Sequence, residues 1–185
     1  MFYNQNDYPN LPYVWKNDGA TVASSGCGLC ACCMVVEALT AQRFTPAEAA
    51  ELALSCGARD DTGTEISILA AAVARRFGLR YELTNDAGRL LQFLQDGRGL
   101  AVANSGGDRP GWTGVFTTGG HFIVLAAANG REITVWDPSI TPTKYDREGR
   151  RDKVRVEGGS VYADIAVIAR DCDNRTPSYV LFSKN

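Results

Sequence analysis

Thirteen consecutive residues constrain this chain more than any others: Ser24-Ser25-Gly26-Cys27-Gly28-Leu29-Cys30-Ala31-Cys32-Cys33-Met34-Val35-Val36. Small, turn-prone residues run straight into a block without a single charge, the pattern of a loop entering a helix buried on most sides. Four of the six cysteines fall in seven of these positions, and Cys27 stands at the junction. A thiol there meets the unpaired N–H groups and the positive end of the helix dipole, both of which favour the thiolate. The question for the rest of the chain is what such a thiol would work with.

The length, 185 residues, suits one domain over residues 1–185 with a substantial core. Hydrophobic residues at 45% and charged residues at 22% are ordinary globular values. The net charge of -2 and the lack of a long basic run argue against a nucleic-acid or anionic-membrane partner. Residues Met1 to Asn10 are polar, so no signal peptide is expected and a cytoplasmic location is favoured. No apolar run approaches the ~18 residues of a membrane span. Cys30, Cys32 and Cys33 crowd one helix, and only Cys56 and Cys172 lie elsewhere. That spacing makes a poor disulfide framework, and mostly reduced thiols are expected.

The periodicities divide the chain into an extended, aromatic-rich arm (1–26), a helical part (27–97) and a sheet part (98–185). Helices are expected from Gly28 to about Thr40, from Thr45-Pro46 to about Cys56, from Thr64 to Phe77, and after Asp86 to about Asp96. Strands are expected at Leu79–Leu83, Gly99–Ala103, His121–Ala127, Glu132–Trp136, Val154–Val156 and Tyr179–Phe182. Residues 162–170 fit either a strand or a helix. Helices followed by an antiparallel sheet predict an α+β fold with segregated layers.

A cysteine nucleophile needs a base within hydrogen-bond reach and a third group to orient that base. The chain has one histidine, His121, which follows Gly119-Gly120 and opens an apolar strand. The next strand ends in Trp136-Asp137-Pro138, and Asn129-Gly130 between them is a hairpin turn. The start of one hairpin strand lies opposite the end of the other, so His121 and Asp137 are expected to be neighbours. Asp137 would then set the imidazole tautomer. Each residue has a plainer reading alone: a core or surface His, a turn-forming Asp before Pro, a Cys acting as a small hydrophobe. Three such residues converging by chance is a much rarer event.

Other chemistries compete for the same cysteines. Cys27-Gly28-Leu29-Cys30 has the Cys-x-x-Cys spacing of a dithiol oxidoreductase but lacks a preceding βαβ pattern. Zinc would draw on Cys27, Cys30 and His121, with no second ligand pair, so no metal is expected. A catalytically silent module that keeps a peptide-binding groove is the third alternative. Trp112 precedes the His121 strand and is read either as an aromatic wall of a groove or as a locally pinned loop residue.

The ordered set Gln5-Asn6-Asp7-Tyr8, Ser24-Ser25-Gly26-Cys27-Gly28, Gly119-Gly120-His121-Phe122-Ile123-Val124-Leu125 and Val135-Trp136-Asp137-Pro138 resembles the bacteriocin-leader (double-glycine) peptidase-like family. These are papain-superfamily cysteine peptidases. The resemblance spans nearly the whole chain and implies a papain-like fold of bacterial or phage type. It implies Cys27 as nucleophile, His121 as general base and acid, Asp137 as its orienter, and a peptide or protein substrate, with no cofactor. It also suggests Gln5 as side-chain donor of the oxyanion hole, with Asn4, Asn6 or Ser24 as alternatives. Related enzymes place that glutamine a few residues before the cysteine, whereas 22 positions separate Gln5 from Cys27 (27 − 5).

Overall fold

A computed structural model describes residues 1–185. Its centre is a seven-stranded antiparallel sheet. In spatial order the strands are β3 (Leu79–Thr84), β9 (Tyr179–Lys184), β4 (Gly99–Ser105), β5 (His121–Asn129), β6 (Glu132–Trp136), β8 (Ser160–Asp164) and β7 (Val154–Glu157). A small ribbon pairs β1 (Arg59–Asp60) with β2 (Gly63–Thr64).

Strand alternation decides which side each residue serves. Leu100, Val102, Val124, Val180 and Phe182 join a first core under α2 (Cys27–Thr40), α3 (Pro46–Ser55) and α4 (Ile66–Phe77). Ala101, Ala103, Ile123, Leu125 and Leu181 join a second core under α5 (Ala87–Gln95) and α6 (Ile165–Cys172). The fold is α+β as expected, but its layers are not segregated along the chain. Helices cover both faces of the sheet. The signal was the unbroken apolar character of Leu100-Ala101-Val102-Ala103 and Ile123-Val124-Leu125, since a strand with one wet face alternates. The last strand, β9, lies between β3 and β4 and ties the two halves together.

Local chemistry sets the helix ends. Thr45 and Glu48 form a reciprocal capping box at α3, with Glu48 N donating to Thr45 Oγ1 at 3.3 Å and Thr45 N donating to Glu48 Oε2 at 2.8 Å. Helix α4 starts two residues later than expected, because Thr64 belongs to β2 and Glu65 caps the Ser67 N–H at 3.0 Å. The ambiguous stretch 162–170 is both things in turn. Strand β8 ends at Asp164, whose carboxylate accepts from Ala166 N at 2.7 Å and starts α6.

The arm is not extended. Gln5–Asp7 form a 3-10 turn, and Val22–Ser25 form a short helix, α1. Between them the chain doubles back through a bridge of Pro12 to Thr21. Tyr13 inside this loop is fully buried and shares a 2.9 Å hydrogen bond with Thr64. No helix is long and apolar enough to cross a membrane.

Candidate active site

Helix α2 begins at Cys27, one residue earlier than expected. It follows α1 without a linker, and Gly26 makes that junction possible. A Cβ at position 26 would lie 2.5 Å from Val22 Cγ1 and 2.6 Å from Val22 O. Ten of the fourteen residues of α2 are buried, so the first turn is held by core packing rather than by a cap. Cys27 keeps some exposure, while Cys30, Cys32 and Cys33 are fully buried in the first core.

His121 opens β5 and is buried. Val124 pairs with Trp136, in a register set by a bulge between Leu125 and Ala127. One step outward puts Asp137 beside Ile123, diagonal to His121 on the same side of the strand. The contact is direct: His121 Nε2 lies 2.7 Å from Asp137 Oδ1. Cys27 and His121 line the same cavity, and the imidazole acts directly on the thiol. The structure thus brings Cys27, His121 and Asp137 together, with α2 of one layer set against the β5–β6 hairpin of the sheet.

The electrostatics follow from these contacts. Burial alone pushes the Cys27 thiol up, but neighbouring His121 and the N–H groups of Phe122 and Gly28 bring it below the ordinary thiol value. Burial likewise works against a charged His121, and its hydrogen bond to Asp137 together with the neighbouring thiol more than offsets that, raising its pKa. Asp137 is pulled well below the usual carboxylate range despite burial, by His121 first and then by Lys144. The shifts of Cys27 and His121 favour a thiolate–imidazolium pair. By contrast, burial pushes Cys32 up to about 12 and raises Cys30 and Cys33 as well. No group of three or more His, Cys, Asp or Glu side chains is placed to hold a metal ion.

Three polar partners of Asp137 were not read from the sequence. Tyr145 OH donates to Oδ2 at 2.6 Å, Lys144 Nζ lies 2.6 Å from the same oxygen, and Ser139 N donates to Oδ1 at 2.9 Å. Lys144 also donates to Ser139 Oγ at 2.6 Å, and that hydroxyl is 3.1 Å from His121 Nε2. These residues sit in a polar loop without periodicity. The Asp-Pro-Ser turn was the only available hint that the chain folds back on Asp137.

Gln5 reaches the site from the far side of the doubled-back arm. Its backbone N–H donates to Pro138 O at 2.6 Å and its Nε2 to Ala23 O at 2.6 Å, while its buried Oε1 has no partner. The 22-residue separation is therefore closed, and Gln5 braces α1 against the segment that follows Asp137. It makes no hydrogen bond to Cys27 and does not line the cavity beside it. Trp112 is a correction to the groove-wall reading. Its Nε1 donates to buried Asp171 at 2.7 Å, Lys153 sits 4.1 Å above its ring, and it packs on the second core. Asp171 also takes the N–H groups of Val115 and Phe116, so this carboxylate holds Trp112 to its own loop.

Cys27 and His121 open into a cavity of about 470 Å³. The helical layer supplies one wall with Ser24, Ser25, Thr64 and Glu65, and the sheet layer supplies the other with Asn104 and Phe122.

No family model and no curated protein matches the chain. Solved structures do. The chain is similar to the peptidase domain of Streptococcus ComA, a bi-functional ABC transporter involved in a quorum-sensing pathway. The TM-score is 0.54 at 11% identity, covering 95% of this chain and 97% of that one. It is also similar to a double-glycine motif protease from an AMS/PCAT transporter in complex with the leader peptide. There the TM-score is 0.51 at 16% identity, covering 96% and 94% of the two chains. The fold is the papain-like peptidase fold. Within that class it takes the form seen in the double-glycine peptidase domains, as the sequence resemblance implied.

Proposed function

We propose that this chain is a cysteine peptidase that hydrolyses peptide bonds through Cys27, His121 and Asp137. The observation that carries the reading is a helix-start thiol sharing one cavity with the only histidine, which is itself hydrogen-bonded to a buried aspartate. The likeness to two peptidase domains, one solved with a leader peptide, supports a peptide or protein as the substrate class. The burial of Cys30 and its raised thiol pKa favour this reading over dithiol redox chemistry.

In the proposed reaction the Cys27 thiolate adds to the scissile carbonyl carbon. The resulting oxyanion is held by the free N–H groups at the start of α2, and Gln5 serves as a second donor once its Nε2 turns from Ala23 O toward the cavity. His121 gives its proton to the departing amine as the C–N bond breaks, leaving a thioester. The neutral imidazole then takes a proton from water, whose oxygen attacks the thioester carbonyl; the C–S bond breaks, the carboxylic acid product leaves, and the thiolate–imidazolium pair is restored. Asp137 keeps the ring in one tautomer and orientation throughout.

A peptide library digested with the protein and read by mass spectrometry tests the activity. Cys27→Ala and His121→Ala are expected to abolish cleavage while the fold survives, and Asp137→Asn to lower kcat by about 10²–10⁴-fold. Turnover retained by Cys27→Ala would end the proposal. Gln5→Ala is expected to lower kcat by about 10²–10³-fold. If Gln5 only braces α1, that variant loses stability and keeps kcat.

A further inference from the structure

The sheet-side wall of the cavity carries a charge for which the peptide-bond chemistry has no use. Arg175 is the only lysine or arginine lining it. The side chain is half-buried, and its Nε is shut off from solvent without a hydrogen-bond partner. The nearby carboxylates are taken by other arginines: Asp173 pairs with Arg109 at 2.6 Å and with Arg170 at 2.8 Å, and Asp108 pairs with Arg147 at 2.9 Å. Arg175 itself joins no ion pair. Its guanidinium rests against Gly120, where a Cβ would lie 3.0 Å from the nearer nitrogen. The charge therefore stands beside the residue that precedes His121. The only carboxylate of the cavity, Glu65, is on the opposite wall, with one oxygen engaged by Ser67 N–H at 3.0 Å.

Nε is closed off, but the two terminal nitrogens keep some exposure and have no hydrogen-bond partner, so they are free to take an arriving acceptor. The planar fork of arginine matches a carboxylate through two parallel hydrogen bonds. We propose that Arg175 forms a carboxylate-binding subsite beside His121, selecting peptides that present an acidic side chain or a free C-terminus there. As a substrate-selecting device this rests on the peptidase reading, but the binding itself is testable without turnover.

The test measures how well three peptides protect Cys27 from alkylation by iodoacetamide in the intact protein, followed by mass spectrometry. The peptides are N-acetyl-Ala-Glu-Ala-amide, N-acetyl-Ala-Gln-Ala-amide and N-acetyl-Ala-Ala-Ala with a free C-terminus. At least one carboxylate peptide is expected to protect at about tenfold lower concentration than the glutamine peptide, the scale of a charge-assisted hydrogen bond. Whichever carboxylate peptide protects identifies the source, side chain or terminus. Arg175→Gln is expected to erase the difference and Arg175→Lys to keep part of it. The wild-type comparison stands even if a variant fails to fold. Equal protection by all three peptides, no protection, or a preference that survives Arg175→Gln overturns the subsite. Carboxylate-selective protection without any peptide cleavage would keep the subsite and remove the peptidase reading.

Discussion

Asp137 has no exposed surface, and its two oxygens meet His121, Ser139, Tyr145 and Lys144. A carboxylate so enclosed stays ionised only while those partners stay in place. Tyr145→Phe removes one hydrogen bond to a charge and is expected to cost about 1.5–3 kcal/mol in urea unfolding. Lys144→Met removes a buried counter-charge and is expected to cost about 3–5 kcal/mol. Both should also raise the pKa of Asp137, and loss of the Lys144 charge, which acts on Cys27 as well, should move the acid limb of kcat/KM to higher pH. A stability loss with an unmoved pH profile would make these residues structural only. The profile of the wild type is expected to be bell-shaped. Activity rises as Cys27 ionises below the ordinary thiol value and falls as His121 deprotonates above the ordinary imidazole value. His121 and Asp137 were legible as neighbours because a hairpin turn relates them. Lys144 and Tyr145 were not, because loop contacts have no period.

Among the elements, α2 and β5 matter most to the site, because their approach sets the distance from thiol to imidazole. Gly28 lies at that contact, where a Cβ would meet Phe122 Cδ2 and Thr64 Cβ at 3.1 Å each. Alanine is intrinsically better in a helix by about 1 kcal/mol, but crowding a rigid β-branched neighbour costs about 1–3 kcal/mol. Gly28→Ala is therefore expected to destabilise the protein and to slow alkylation of Cys27, read by thermal unfolding and timed iodoacetamide labelling. Thr45→Ala makes the contrasting case. It removes the cap of α3, should cost about 1 kcal/mol, and should leave the Cys27 rate unchanged. The cap at Thr45 was readable from Thr-Pro-Ala-Glu alone, since capping is local chemistry. The start of α4 was misplaced because Thr64 is drawn into β2 and toward Tyr13, a partner 51 residues away.

The whole molecule is two cores on one sheet, and its thiols report on both. Iodoacetamide is expected to modify Cys27 first and partly exposed Cys56 more slowly. Cys30, Cys32, Cys33 and Cys172 should react only on unfolding. Early labelling of any of those four would contradict the burial described above. Acid stability reports on Asp137. An aspartate in the unfolded chain titrates near ~3.9. Held well below that when folded, Asp137 contributes stability that is whole above about pH 4 and is lost as the pH falls toward its folded value. The Tm gap between the wild type and Asp137→Asn should accordingly narrow on acidification from about pH 5 to pH 2. By itself the sequence determined the helix-start thiol, the hairpin that pairs His121 with Asp137, most of the element boundaries and the α+β class. All of these depend on local propensity, turn geometry or periodicity. Only the tertiary structure decided the insertion of β9, the second helical layer, the folded arm that brings Gln5 to α1, and the loop that encloses Asp137. It also removed Trp112 from the groove by giving it Asp171. The physical reason is the same in each case: the contacts join segments far apart in the chain, through side chains whose choice of partner no local pattern encodes.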